Sequence, residues 1–355
     1  MSSGTRKTVL IFGQLATYGG AGILADQFRS RGDWDVHLIV AKEDEPQGFW
    51  KTYGAKLWCD QNWFQRRRIR DIARKADLTI LAGTPALDTW IRALLGKSAG
   101  KQGKTTYSQK LVRKGAQKLG PNRSKGAVSL LVTDSFLLST NPETNELYNL
   151  FPEVTLFVMP DLIPFVERKK KIPFYPLVEV KCKEEQVDKT NDVLVGHSPS
   201  SEKRYKQKGT DFILEVFNRN DIRHDLISGL DYQTSLLRKS ALDIFVDQMA
   251  PQKFKGLSWS GGLGKSGLEA MALGCAVITS GHLAETEPYL PLPPVLFTDR
   301  ADFEEKLNSL VKDPEEVRRL GKNAQDWIAQ YATPEAMVDH LLKYSDLPAH
   351  ETAVN

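Results

Sequence analysis

Residues 258–280, SWSGGLGKSGLEAMALGCAVITS, constrain the fold more than any other stretch of this chain. Four glycines lead into a run of helix formers, Leu268 to Leu273. Gly274 stops that run, and a short strand over 276–279 follows. Glycine-rich turn, helix and strand in that order is a building unit of α/β domains. Its turn aims backbone N–H groups and a helix dipole at an anion. Glu269, one turn into the helix, stands where a carboxylate can accept hydrogen bonds from sugar hydroxyls. The stretch points to a nucleotide or nucleotide-sugar site.

The rest of the chain repeats the same alternation. Residues 9–12 (VLIF) are a continuous apolar run ending in Gly13, the pattern of a buried parallel strand. Gly19, Gly20 and Gly22 then open a helix that carries Ile23, Leu24 and Phe28 on one face, and residues 36–40 give the next strand. Further strands are expected at 56–58, 78–82, 127–132 and 154–159, with helices at 61–75 and 141–150. A charged stretch with two prolines, 171–191, reads as a linker. A second series follows, with strands at 192–196, 223–228, 243–246 and 295–297. Its helices fall at 209–217, 232–239, 302–311 and 314–331, and a last amphipathic helix at 334–344. With 355 residues, the chain divides into a first α/β domain over 1–170, a second over 192–332 and a tail over 333–355.

Composition narrows the class. Apolar residues make up 41% and charged residues 26%, the balance of a water-soluble globular protein. No apolar run approaches the roughly 20 residues that span a bilayer. Cys59, Cys182 and Cys275 are scattered without metal-ligand spacing, so no metal site is expected and a cytoplasmic location is. The net charge of +4 hides an asymmetry: residues 1–150 hold 23 Lys and Arg against 13 Asp and Glu. The segment RRRIRDIARK has six basic side chains and one acid. Residues 92–125 carry ten basic side chains and no acid, so 96–126 is expected to be a mobile loop. An anionic partner for the first domain follows from this excess. Gly264-Lys265-Ser266 also ends a Walker A motif, but its first glycine would fall on Trp259 and no strand ends just ahead of it.

The segment from Gly262 to Ile278, GLGKSGLEAMALGCAVI, resembles the E-G-x-G-x-x-x-L-E-A-M-A-x-G-x-P-V-I motif of GT-B glycosyltransferases, especially family 4. The resemblance implies two Rossmann-like domains facing a cleft, with the C-terminal helix packing back on the first. It places Gly262, Leu263, Gly264 and Lys265 at a nucleotide-sugar donor, UDP-sugar above all, and Glu269 on its ribose. Gly261 stands where the family has the first Glu of its Glu-x7-Glu motif, a departure at the donor sugar. HSPSSEKRYKQKGTDFI resembles the family segment ending in Lys-Gly, which makes Lys208 a diphosphate ligand with Lys203 or Arg204 as the second cation. SALDIFVDQ resembles the family's next strand, its Asp247-Gln248 pair that of one divergent branch. Gly281-His282-x-x-Glu285 resembles the loop near the donor, and Gly19-Gly20 the loop facing it.

Family members usually retain anomeric configuration without a metal ion, the departing diphosphate taking the acceptor's proton. Many carry His-Asp where Thr133-Asp134 stands here, so Asp134 as a base would suit inversion. His197 is the other candidate catalytic group. Acceptors of such enzymes bind the first domain, which implicates Arg66, Arg67, Arg68, Arg70, Lys110, Arg113 and Lys114. Two acceptors fit that charge. One is DNA bearing a hydroxymethylated base of the phage kind, which would place the protein in the host cytoplasm. The other is a lipid-linked or envelope polysaccharide met at an anionic membrane. Readings from another class are a nucleotide-sugar epimerase or a non-catalytic nucleotide-sugar- or DNA-binding protein.

Overall fold

The strand-like runs of the sequence take their places in two parallel sheets. The computed structural model describes residues 6–13, 20–40, 49–58, 60–95, 125–132, 148–167, 170–178, 180, 192–199, 208–250, 262–281, 286 and 288–347. These divide into two units, Met1–Leu177 with Pro334–Asn355, and Val178–Thr333. The expected basic loop falls at 96–124 outside the described residues, as does most of the helix expected over 141–150.

The first unit contains β1 (Lys7–Gly13), α1 (Ala21–Arg31), β2 (Trp34–Val40), α2 (Phe49–Thr52), β3 (Lys56–Leu57) and α3 (Trp63–Lys75). It continues with β4 (Leu78–Ala82), α4 (Thr84–Leu95), β5 (Ala127–Val132), β6 (Val154–Val158) and β7 (Lys171–Pro173). The strands pair in parallel in the order β3-β2-β1-β4-β5-β6-β7. β4, β5 and β6 are buried at every residue, which is why they read as unbroken apolar runs rather than alternating ones. α1 opens at Gly20, whose φ of +78° is left-handed, a backbone state open to glycine at little cost.

The linker was to begin at 171, but Lys171–Pro173 is a strand of the first sheet, with Ile172 buried and paired to Phe157. Lys171 hides it in the sequence by turning its ammonium to the carbonyls of Ile163 and Val166, at 3.1 and 2.6 Å. Pro173 is tolerated because β7 is an edge strand.

The second unit holds β8 (Val195–His197), α5 (Thr210–Arg219), β9 (His224–Leu226), α6 (Tyr232–Ser240), β10 (Ile244–Gln248), α7 (Lys265–Ala272) and β11 (Ala276–Ser280). β12 (Leu296–Thr298), α8 (Phe303–Val311) and α9 (Pro314–Trp327) complete it. Its sheet runs β12-β11-β10-β8-β9, again all parallel. Val195, Ile213, Phe217, Ile244, Val246, Ile278, Phe303 and Leu307 form its core.

A final helix, α10 (Pro334–Tyr344), returns to the first unit. Asp339 pairs with Arg31 of α1 at 2.5 Å, and His340 Nε2 donates to the Pro173 carbonyl at 2.8 Å. Just beyond the helix, the Ser345 and Ser129 hydroxyls meet at 2.8 Å in the buried interior. The C-terminal helix therefore packs on the first domain, as the resemblance implied.

Candidate functional site

In an open parallel sheet the strand order reverses at one point, and ligand groups gather at the C-terminal ends of the strands there. In the second unit the chain passes from β8 to β9 on one side and then crosses to β10 on the other side of β8. The ends of β8 and β10 are His197 and Asp247-Gln248. The ladder between β10 and β11 slips at this place: Val246 opposes Ile278 and Gln248 opposes Thr279, so Asp247 is an extra, unpaired residue. Such a bulge re-aims a side chain. The Asp247 carboxylate, completely buried, accepts from Lys208 Nζ at 3.0 Å through one oxygen and from the Gly264 amide at 2.6 Å through the other.

The glycines of the opening stretch now have a local reason. A Cβ on Gly264 would lie 3.1 Å from Asp247 Oδ2, and one on Gly267 would lie 3.0 Å from it and 2.7 Å from Leu263 Cδ1. Neither glycine has a positive φ among the described residues, so close approach, not turn geometry, is what they supply. The Gly262 carbonyl is held by Thr279 Oγ1 at 2.8 Å and by the Gln248 side-chain amide. α7 thus begins at a fixed place, its first-turn amides above the end of β10.

Lys208 is positioned from behind. Gly209 follows it with φ +71°, and a Cβ there would fall 2.0 Å from the Met249 carbonyl. Arg300 donates to that same carbonyl through Nε and a terminal nitrogen at 3.0 and 2.8 Å. The Lys208 ammonium also donates to Ser198 O at 3.1 Å, so two of its three N–H bonds are committed within the protein.

His197 is fully buried. Nδ1 donates to the Val246 carbonyl at 2.8 Å, since a carbonyl can only accept. Nε2 therefore accepts from the Thr210 hydroxyl, also at 2.8 Å. Burial above all, with the neighbouring Lys208 charge, holds its pKa down to about 4; the Val246 hydrogen bond and Asp247 pull the other way. The ring is neutral near pH 7, and both of its nitrogens are engaged with the protein.

Glu269 also turns inward. It is buried and paired with Lys239 Nζ of α6 at 2.5 Å, and that ammonium sits 5.7 Å from the centre of the Phe245 ring. No motif marks Lys239. Its one signal is spacing: Leu236 and Lys239 share the buried face of α6. Lys265 lies over the Tyr232 ring at 5.7 Å. The structure thus brings His197, Lys208, Gly262, Leu263 and Gly264 around the ends of β8 and β10, and adds Asp247, Gln248 and Thr210. Gly19, Asp134, Lys203, Arg204, Gly261, His282 and Glu285 lie outside the described residues, as do Lys110, Arg113 and Lys114. Among the described residues, no group of three or more His, Cys, Asp and Glu side chains gathers.

In the first unit, Arg66, Arg67, Arg68 and Arg70 all lie on α3. Ile69 and Ala73 face the core, which leaves Arg67 and Arg68 exposed and Arg66 and Arg70 half-buried. Trp63 and Phe64 at the start of the helix are 62% and 76% exposed, which no local pattern announces.

The fold is similar to that of several solved structures, a glycosyltransferase among them. HepE from Anabaena, crystallised with UDP and glucose, matches at TM-score 0.60 and 12% identity over 95% of this chain and 99% of its own. The same protein crystallised with UDP-glucose matches at 0.56 and 14% identity, over 95% and 98%. A glycosyltransferase from Rickettsia africae matches at 0.58 and 10% identity, over 95% and 97%. No protein-family model matches the chain, and no curated protein matches it. At these identities the likeness establishes the fold, which is of the GT-B type.

Proposed function

We propose that this protein is a glycosyltransferase whose second domain binds a nucleotide sugar, a UDP-sugar above all, at the ends of β8 and β10. The observation that carries the reading is the convergence of the Lys208 ammonium and the start of α7 on one point, now shared with Asp247. An ammonium with one N–H to spare and a helix N-terminus beside it form a positive pole suited to a diphosphate. HepE, solved with UDP and with UDP-glucose in the same fold, supports that donor.

In this reading Lys208 and the first-turn amides of α7 stabilise the diphosphate as negative charge develops on it, without help from a metal ion. His197 acts by position: the neutral ring ties β8 to β10 and to the start of α5. The sugar is transferred with retention, the departing diphosphate receiving the acceptor's proton. Asp134 as a general base is the inverting alternative. Lys203, Arg204, His282 and Glu285 remain donor ligands in this proposal, and Gly19 and Gly20 its glycine-rich loop. The acceptor is anionic and meets the basic first domain. Hydroxymethylated-base DNA and a lipid-linked or envelope polysaccharide both fit that charge.

Thermal-shift screening against nucleotide sugars tests the donor. A UDP-sugar should raise the melting temperature of the wild type and not of Lys208→Ala; no shift with any nucleotide sugar overturns the reading. Release of free UDP only when acceptor is present separates a transferase from an epimerase or a non-catalytic binding protein.

A further inference from the structure

The start of α3 is built against the usual rule for a water-facing helix. The Asn62 side chain accepts from the Gln65 amide and the Gln65 side chain accepts from the Asn62 amide, a reciprocal cap that fixes the first turn. On that fixed turn stand Trp63 and Phe64, with ring centres 4.9 Å apart in an edge-to-face pair and most of their surface in water. The core makes no use of them, because Ile69 and Ala73 supply the inward face. Arg67 continues the line of Trp63 one turn on, its guanidinium 5.7 Å from the Trp63 ring centre. Arg68 continues the line of Phe64, and Arg74 and Lys75 extend both lines. Asp71 is the single acid on the helix.

We infer that this surface docks the first domain on an anionic lipid membrane, Trp63 and Phe64 entering the headgroup boundary and the arginines meeting lipid phosphates. Tryptophan pairs an apolar body with a polar N–H and so settles at that boundary. An adjacent Phe adds buried apolar area, and nearby arginines add attraction to anionic lipid. Duplex DNA explains the arginines and leaves the aromatic pair without a role, because phosphate tracks are gripped by cations and polar groups. No described helix is long and apolar enough to cross a membrane. If the transferase reading holds, docking here makes a lipid-linked acceptor the favoured class. The docking itself stands on α3 alone.

Co-sedimentation of the full chain with phosphatidylglycerol-rich vesicles, against pure phosphatidylcholine vesicles and against duplex DNA in a gel shift, tests the inference. Wild type should pellet with the anionic vesicles and stay in solution with the neutral ones. W63A/F64A and R67E/R68E should each weaken vesicle binding by about tenfold or more, with melting temperatures unchanged. Failure of wild type to pellet overturns the inference, and so does W63A/F64A binding vesicles as wild type does. Tighter binding to duplex DNA than to vesicles, lost in R67E/R68E, also overturns it and moves the surface to nucleic acid. Donor thermal shifts on the same preparations report on the transferase reading alone, so the two can fail separately.

Discussion

Helices α3 and α7 treat charge in opposite ways. Around α7 each acid is matched within the protein: Asp247 by Lys208 and the Gly264 amide, Glu269 by Lys239. On α3 six basic side chains share a single acid, Asp71, which approaches Arg70 only to 3.9 Å, and two aromatic rings stand in water. The difference follows from solvation. A buried charge without a partner costs several kcal/mol, so the second unit has to pair its own. Water meets the needs of an exposed arginine, so α3 can keep its charge for something outside the chain.

Breaking the buried pair gives the largest expected effect. Glu269→Ala strands the Lys239 ammonium, which is 3% exposed, and should cost about 3–5 kcal/mol in urea unfolding. The double change Lys239→Met with Glu269→Leu should recover most of that loss. If Glu269→Ala is instead neutral for folding and harms only donor binding, Glu269 serves the ribose, as the motif resemblance implied.

Acid comes next. With a folded pKa of about 4 against 6.5 unfolded, His197 takes up its proton in the unfolded state first as pH falls. Its share of stability is intact above pH 6.5 and is lost progressively down to pH 4, by about 3 kcal/mol. His340, lowered chiefly by burial, adds in the same direction. The melting temperature should fall from pH 7 to pH 4, and His197→Gln should flatten that dependence.

Asp247→Asn keeps the shape and removes the charge. It should cost about 2 kcal/mol of stability, because the amide keeps one accepting oxygen and leaves either Lys208 Nζ or the Gly264 N–H facing an NH2 donor. Because the competing anion is gone from the positive pole, UDP affinity by calorimetry should rise about tenfold. A fall in affinity would mean that Asp247 holds Lys208 in place for the donor. The smallest effect belongs to the other helix: R67E/R68E should leave unfolding free energy within about 0.5 kcal/mol of wild type. A larger loss would show that α3 uses its arginines for its own fold.

Much of the molecule was legible because its signals are local. Val9 to Phe12, Leu78 to Ala82 and Ala276 to Thr279 read as buried strands since parallel sheets bury both faces, and they lie in strands. Leu268 to Leu273 read as a helix for their propensity and the Gly274 stop, and Lys265 to Ala272 is one. β7 carries no apolar run because it opens on Lys171, whose ammonium reaches back to the Ile163 and Val166 carbonyls. The site was legible in outline only. Lys208 and Gly264 carry a motif, but Asp247 meets them because a bulge turns one residue of β10 aside, and no spacing announces a bulge.

The sequence by itself determined two parallel α/β units, a glycine-rich helix start in the second, and an excess of positive charge on the first. These are properties of residues near one another along the chain. Tertiary structure decided which charges are met inside and which are left out. Glu269 is 30 residues from Lys239 and Asp247 is 39 from Lys208, distances over which only folding makes neighbours. It also decided that Trp63 and Phe64 stay in water. The inward face of α3 is set by where Ile69 and Ala73 meet the core, and the two rings lie off that face.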